Sequence, residues 1–209
     1  MKGTRLLLLR HAETADPSRF HGSESDIGLG ERGGRQALAV ARYLVDENPS
    51  AIITSAMRRA INTAEPIADA CGIGYQVELD LHERSMGSLS GVSREEGLPA
   101  YADAVKQWTE GNLDYTHAGG ESYTMIQRRV VPVFDRVVAA WRGKTVVIVA
   151  HGVVIRVLLT TILPGSSPAD FKSFAIDNTA INDLRLDGAT WSAIALNLKV
   201  HDEFETFAW

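Results

Sequence analysis

Two apolar runs in this chain each end directly at a histidine. Residues 6–9 are four leucines that lead into Arg10 and His11, and residues 145–150 (TVVIVA) lead into His151. Unbroken apolar runs of this length are typical of strands buried on both faces, as in a parallel sheet. Because parallel strands end at one edge of the sheet, and ligands bind at that edge, we predict that the two histidines face one pocket.

The rest of the apolar pattern alternates between helix and strand periods. Further strands are predicted over 51–55, 75–79, 181–186 and 191–196, with helical spacing of apolar residues in the longer intervals. Residues 187–190 predict a hairpin between the last two strands. Residues 92–117 have the least regular pattern, and we expect a helical region there, between the third strand and the next helix. The alternation indicates an α/β fold with a mostly parallel sheet flanked by helices.

Length and composition fit one domain over residues 1–209. A chain of 209 residues with 45% hydrophobic and 22% charged residues can bury a proper core. The net charge of -5 argues against non-specific nucleic-acid binding, which needs clustered positive charge. Cys71 is the one cysteine, so no internal disulfide forms and a cytoplasmic location is expected. The short apolar run in residues 1–10 is taken up by the first strand, and no signal peptide or membrane span is expected.

The motif Arg10-His11-Ala12-Glu13-Thr14 is similar to the first motif of the histidine phosphatase superfamily, which includes the cofactor-dependent phosphoglycerate mutases. The other segments that resemble the family follow in its order: 19–29, 31–33, 54–64, 81–91, 118–122 and 150–152. The resemblance extends from Arg5 to about Asn182. It implies a phosphoglycerate mutase-like fold, a three-layer α/β/α sandwich with a mostly parallel central sheet, in which residues 92–117 lie over the pocket.

The chemistry of phosphoryl transfer explains the residue types in these motifs. A phosphomonoester is dianionic, and the guanidiniums of Arg10 and Arg59 can each donate paired hydrogen bonds to its oxygens. A neutral His11 can attack phosphorus and form a phosphohistidine, while a protonated His151 would stabilise the charged oxygens. Glu83 would protonate the leaving oxygen and later activate water, and the neighbouring phosphate charge favours its protonated form. We predict that His11, Glu83 and His151 are catalytic and that Arg10 and Arg59 bind substrate without a metal or other cofactor.

Several residues near the motifs have two readings. Gly152 could donate its backbone N–H to phosphate at the positive end of a helix, and we assign it to substrate binding. His21 is assigned to the same role because its loop folds near the phosphate in this family, although an exposed loop histidine is an equal reading. Glu121 is either a helix-start carboxylate, with Ser122 as the cap, or a structural residue near the pocket. Asn178 could reach the edge of the site.

Two departures from the family pattern concern the phosphate pocket. Ala12 stands where the family usually has glycine, and this changes how closely the backbone can approach phosphate. The asparagine that many members carry after the nucleophile has no counterpart in residues 15–18. One phosphate ligand is therefore expected to be missing or replaced.

These observations favour a phosphomonoester hydrolase that acts on a small phosphorylated metabolite, with no nucleic-acid or membrane partner. A phosphoglycerate mutase is the alternative, because residues 83–91 are close to the mutase version of that segment. The stretch between Gly91 and Gly119 is short for a mutase lid, which favours the phosphatase. A non-catalytic protein that binds phosphorylated ligands is the third hypothesis, but both histidines, both arginines and the glutamate are present. The sequence does not indicate the oligomeric state.

Overall fold

Six strands of the described chain form one sheet. The computed structural model describes residues 3–201, so Met1, Lys2 and residues 202–209 of the predicted domain lie outside the described residues. The strands are β1 (Thr4–Arg10), β2 (Ala51–Ser55), β3 (Tyr75–Glu78), β4 (Thr145–Ala150), β5 (Ile181–Asp187) and β6 (Thr190–Leu198). Their order across the sheet is β3-β2-β4-β1-β5-β6. The pairs among β1 to β4 are parallel, whereas β5 is antiparallel to both β1 and β6.

Helices pack on both faces of this sheet. They are α1 (Glu31–Asp46), α2 (Arg58–Cys71), α3 (Arg94–Thr109), α4 (Tyr123–Ala140) and α5 (Gly152–Ile162). Leu7 and Leu9 of β1 pack in a cluster with α1 and α2, whereas Leu6 and Leu8 pack on the other face with α4 and α5. The predicted three-layer α/β/α sandwich with a mostly parallel sheet is confirmed. Within residues 3–201, no helix is both long enough and apolar enough to cross a membrane.

The strands β1 and β4 are direct neighbours in the sheet. Arg10 lies opposite Ala150, and the His11 backbone N–H donates to the Ala150 carbonyl at 2.9 Å. Since the two strands are parallel, both end at the same edge. This register brings His11 next to His151, which immediately follows β4.

The helical region expected within residues 92–117 is observed as the 16-residue helix α3. The Ser93 hydroxyl caps α3 by accepting a hydrogen bond from the Glu96 backbone N–H at 3.2 Å. The buried residues of α3 include the small residues Gly97 and Ala104. A helix that packs through small residues has only a weak apolar period, which is why the sequence pattern of this region is irregular.

Candidate active site

His11 is a buried, neutral histidine at the end of β1. Its Nδ1 lies 2.7 Å from the Ala12 carbonyl oxygen. A carbonyl can only accept, so Nδ1 carries the hydrogen and Nε2 keeps its lone pair. Burial, followed by the positive charges of Arg59 and Arg10, holds the pKa of His11 well below its usual value. Near neutral pH the ring therefore has a free nitrogen that can act as a nucleophile.

His151 is completely buried beside His11. The two ring centroids are 5.1 Å apart, and the Ser55 hydroxyl lies 2.8 Å from His151 Nε2. Among residues 3–201, His151 Nδ1 has no hydrogen-bond partner. Burial, then the positive charge of Arg59, holds the pKa of His151 well below its usual value. A buried nitrogen without a partner is costly, and a bound anion would offset that cost if it brought a proton to this ring.

Arg10 extends from the end of β1 into a cavity of about 300 Å³. Its Nη1 donates to the Ile176 carbonyl at 2.9 Å, and its buried Nε has no hydrogen-bond partner within the described residues. A Cβ at Gly152 would lie 3.7 Å from that Nε, so the start of α5 approaches the guanidinium closely. Burial, then the like charges of Arg94 and Arg156, lowers the pKa of Arg10 to about 10. The Nε–H group and the positive charge of Arg10 can therefore bind an anion.

Arg59 lies in the same cavity but is only 1% exposed. Its Nη1 donates to the Ser25 carbonyl at 2.9 Å, and its Nη2 lies 3.2 and 3.3 Å from the carbonyls of Gly22 and His21. Arg59 therefore ties the loop after the first motif to α2. Its neighbour Arg58 is exposed.

Glu83, in the segment of residues 81–91, lines the cavity beside the start of α5. Its Oε1 accepts from the Arg84 backbone N–H at 2.8 Å, and its Oε2 accepts from the Val153 N–H at 3.4 Å. Two backbone donors hold the carboxyl in place, and within residues 3–201 it forms no ion pair. The carboxyl is thus placed to contact a ligand in the cavity.

His21 and Asn178 also line the cavity, from two different loops. His21 Nε2 donates to the Asp16 carbonyl at 2.7 Å, so its Nδ1 accepts from the Ser25 hydroxyl at 2.8 Å. The Asn178 side chain donates to the His11 carbonyl at 2.8 Å. Both side chains therefore support the backbone of the site, and Asn178 reaches its edge as the sequence suggested.

Glu121 is not among the residues that line the cavity, and its hydrogen bonds hold neighbouring segments of the chain together. It accepts two hydrogen bonds from the Arg129 guanidinium, at 2.8 and 2.9 Å, and one from the Ser85 backbone N–H at 2.8 Å. The neighbouring Ser122 caps α4 by accepting from the Met125 N–H. Of the two readings of Glu121, the structural one fits this geometry, and Arg129 is the partner that the sequence did not indicate.

The cavity lining includes three further arginines that the sequence analysis did not assign to the site, Arg32, Arg94 and Arg156. Arg156 lies one helical turn after Gly152, a spacing from which it could have been found. Arg94 was not singled out, because the irregular pattern of residues 92–117 did not show where the helix begins. Within residues 3–201, no group of three or more His, Cys, Asp or Glu side chains is placed to hold a metal ion.

Comparison with known proteins identifies relatives over almost the whole chain. The model of the histidine phosphatase superfamily (branch 1) matches residues 6–199. A bifunctional protein of Mycobacterium tuberculosis is 32% identical over 190 residues, which are 90% of this chain and 52% of that protein. The chain thus spans about half the length of the first curated relatives it matches. Phosphoserine phosphatase 1 of Hydrogenobacter thermophilus is 30% identical over 198 residues, covering 94% of this chain and 93% of that protein. Relatives with phosphoglycerate mutase in their names match as well.

A solved structure with the same fold is that of a mycobacterial glucosyl-3-phosphoglycerate phosphatase. It matches with a TM-score of 0.82 and 27% sequence identity, over 95% of this chain and 100% of that chain. The similarity therefore extends over the whole sandwich, including the sheet edge where the two histidines meet.

Proposed function

The chain belongs to the histidine phosphatase superfamily, and we propose that it hydrolyses a small phosphorylated metabolite through a phosphohistidine. The observation that carries the proposal is the state of His11. Its Nδ1 hydrogen is held by the Ala12 carbonyl, and its low pKa leaves Nε2 unprotonated. The ring lines the same cavity as Arg10, whose Nε has no partner among residues 3–201. A neutral nucleophile beside an unused cationic donor is what attack on a phosphate dianion requires.

In the first step, His11 attacks phosphorus. A bond forms between His11 Nε2 and phosphorus, and the bond to the leaving oxygen breaks. Glu83 gives its proton to that oxygen, so the alcohol leaves neutral. Arg10 and Arg59 donate to the equatorial oxygens, and His151 adds a positive charge once it takes up a proton.

In the second step, water releases the phosphate. The Glu83 carboxylate takes a proton from water, the water oxygen attacks phosphorus, and the bond to His11 Nε2 breaks. Gly152 contributes its backbone N–H at the start of α5, where the helix dipole favours negative charge. His11 returns to its neutral form and Glu83 is again protonated.

The substrate and setting belong to the same proposal. We assign a small phosphomonoester as substrate, with no nucleic-acid partner, no metal and no other cofactor, because the cationic side chains already offset the phosphate charge. A cytoplasmic location is proposed because Cys71 is the one cysteine, and folding does not depend on a disulfide.

Phosphoglycerate mutase is the second candidate, favoured by the relatives that carry this name. The two activities separate on 3-phosphoglycerate in the presence of 2,3-bisphosphoglycerate. We expect inorganic phosphate to be released faster than 2-phosphoglycerate forms. Isomerisation that outpaces phosphate release would make the mutase assignment correct.

The test of the proposed function is the covalent intermediate. Substitution His11→Ala should lower turnover of phosphomonoesters by roughly a thousandfold or more, because the nucleophile is lost. Labelled substrate should leave an acid-labile, base-stable phosphoryl group on the wild type and none on the variant, with circular dichroism checking that both are folded. Normal turnover by a folded variant would contradict the proposal.

A further inference from the structure

We propose that Arg84 is a positioning residue that acts through Glu83. Its buried guanidinium stabilises the carboxylate that Glu83 becomes when it gives its proton to the leaving oxygen. The inference rests on the proposed phosphatase function, because it concerns the acid of that reaction.

Arg84 is completely buried, and its guanidinium lies next to two aromatic rings. The residue has 0% exposure. Its guanidinium carbon lies 4.5 Å from the centre of the Trp108 ring and 5.9 Å from the centre of the Tyr101 ring. Both rings belong to α3, and Tyr101 also lines the active-site cavity, whereas Arg84 does not. The guanidinium therefore lies behind a residue of the cavity wall, where water does not screen its charge.

The hydrogen bonds of Arg84 do not neutralise its charge. Its Nε donates to the Glu121 carbonyl at 2.9 Å, and its Nη2 lies 3.4 Å from His117 Nδ1. His117 Nε2 donates to the Met86 carbonyl at 2.8 Å, so Nδ1 is the acceptor and the ring is neutral. Among residues 3–201, Arg84 forms no ion pair, and its buried Nη1 has no hydrogen-bond partner. A buried cation of this kind favours any anion that forms beside it.

Two of the three carboxyls that act on this guanidinium have other partners. Glu121 accepts two hydrogen bonds from Arg129 on α4. Glu24 is exposed and accepts from two backbone N–H groups. The third carboxyl is that of Glu83, which has backbone donors but no ion pair within residues 3–201. Glu83 is thus the carboxyl that can respond to the charge of Arg84.

The charges of Arg84 and Glu83 interact across a short connection. The Arg84 backbone N–H donates to Glu83 Oε1 at 2.8 Å, so the carboxyl is held by the residue that carries the guanidinium. Burial lowers the pKa of Arg84, whereas the acidic groups of Tyr101 and Glu83 raise it. Because an interaction between two charges is mutual, the guanidinium favours the ionised form of Glu83. An arginine stays charged even when it is buried, so this attraction does not depend on pH.

The attraction acts on one step of the proposed reaction. When the phosphorus–oxygen bond breaks, the proton of Glu83 moves to the leaving oxygen and a negative charge forms on the carboxyl. The contacts of Arg84 fix its guanidinium before the reaction, so it stabilises that charge without reorganisation. The gain is largest for leaving groups that depend most on proton donation.

The other charged or titratable side chains close to Glu83 come from β1, α2, α3, α4 and the end of β4: Arg10, His11, Arg59, Arg94, Arg129 and His151. The charges of Arg10 and Arg59 are offset by the phosphate dianion in the mechanism above, and Arg129 is already paired. Arg94 is partly exposed, so water screens its charge. The two histidines are neutral near pH 7, because burial lowers their pKa. Once substrate is bound, Arg84 remains as a buried positive charge next to the acid.

The first test removes the charge and keeps an unbranched side chain. Phenyl phosphate and p-nitrophenyl phosphate have similar shapes, but the phenol leaving group needs more proton assistance than p-nitrophenol. Arg84→Met should lower kcat/KM for phenyl phosphate by about threefold to tenfold, and for p-nitrophenyl phosphate by less than about twofold. Arg84→Lys keeps a cation and should recover part of the loss. Arg128→Met removes an exposed charge of α4 and is the matched control, which should behave as the wild type.

The pH profile separates charge from packing. Without the cation, Glu83 should keep its proton to higher pH, because its carboxylate is less stabilised. The basic limb of kcat/KM for phenyl phosphate should therefore move upward by about half a pH unit or more in Arg84→Met. Arg84→Lys should leave the limb closer to its wild-type position. An unmoved limb, or equal losses on the two substrates, would overturn the proposal and leave Arg84 as a packing residue.

A double variant tests whether the effect passes through Glu83. In the Glu83→Gln background, Arg84→Met should cause no further loss that is selective for phenyl phosphate, since the acid is already absent. A further selective loss in that background would contradict the proposal.

Removing a buried arginine can also prevent folding, which circular dichroism would show. Arg84→Gln then takes the place of Arg84→Met, because its side-chain amide is neutral and can still donate to the Glu121 carbonyl. A wild type that turns over neither phenyl substrate would contradict the proposed function. A wild type that turns over both, with Arg84 variants that lose equally on both, would contradict the role of Arg84 alone.

Discussion

At the scale of single residues, burial determines the protonation state of the two histidines of the site. His11 and His151 have lowered pKa values because both rings are buried and face the charge of Arg59. The low pKa favours the role of His11 as nucleophile, since a neutral imidazole keeps a nitrogen lone pair. The cost is a buried His151 nitrogen without a partner among residues 3–201. The catalytic roles of these residues stay predictions, and Glu83 offers a direct test of one role.

Substitution Glu83→Gln should separate the acid role from a structural one. Turnover of alkyl phosphates should fall roughly a hundredfold, while p-nitrophenyl phosphate should lose only a few-fold, because its good leaving group needs little proton assistance. Steady-state kinetics on both substrates measures the difference. Glu110→Gln, an exposed change at the end of α3, is the control. An equal loss on both substrates would exclude Glu83 as the acid.

At the scale of elements, α1 packs unusually closely against the first motif. A Cβ built on Gly33 would lie 2.0 Å from the Glu13 carbonyl oxygen, whereas one on Gly34 would have no atom within 4 Å. The same helix holds this loop through Gln36, whose side-chain oxygen accepts from the Glu13 N–H at 2.9 Å. Glycine at position 33 thus lets α1 support the backbone beside His11.

Two neighbouring substitutions test this contact. Gly33→Ala should cost about 1 to 3 kcal/mol in the free energy of unfolding and should lower kcat, because the loop after β1 must move. Gly34→Ala should instead stabilise the protein by about 0.4 to 1 kcal/mol, since alanine restricts the unfolded chain. Urea unfolding and turnover measure both effects. Equal stability of the two variants would show that the close packing at Gly33 is not required.

At the scale of the whole molecule, the buried histidines link stability to pH. Burial lowers the pKa of His11, His151 and His117 below the usual value of 6.5. The unfolded chain therefore binds more protons than the folded protein as pH falls below about 6.5. The stability that these neutral histidines contribute is present above that pH. It is lost as the pH falls toward the lower pKa values that the histidines have in the folded protein. The carboxyls of Glu121 and Asp177, whose pKa values are also lowered, add a second loss at more acidic pH.

We expect the free energy of unfolding to fall between pH 7 and pH 5.5, by up to about 1.4 kcal/mol per pH unit for each histidine involved. Urea unfolding across this range measures the slope. The double variant His11→Asn and His151→Asn should have a smaller slope than the wild type, whatever its absolute stability. A wild-type stability that is flat from pH 7 to pH 5.5 would contradict the assignment of neutral buried histidines.

Much of the fold and the first group of site residues could be predicted from the sequence, because the signals are local. The four leucines of residues 6–9 read as a strand buried on both faces, and they do divide between the two helical layers. This run leads into His11, and β4 leads into His151. The prediction that the two histidines meet follows from one rule, that neighbouring parallel strands end at the same edge of a sheet. The family motifs predicted the sandwich and the family, whose model matches residues 6–199.

Other features were decided by the tertiary structure alone. The apolar period of α3 is too weak to fix the bounds of the helix, and its buried face is decided by packing on Phe20 and the core. The pairing of Glu121 with Arg129, and the convergence of Arg94 with Arg156, join residues that no spacing in the chain relates. A sequence pattern shows which face of an element is buried. Which side chains then meet in a cavity depends on how the helices pack across the sheet edge, and that is settled by the shape and volume of the whole core.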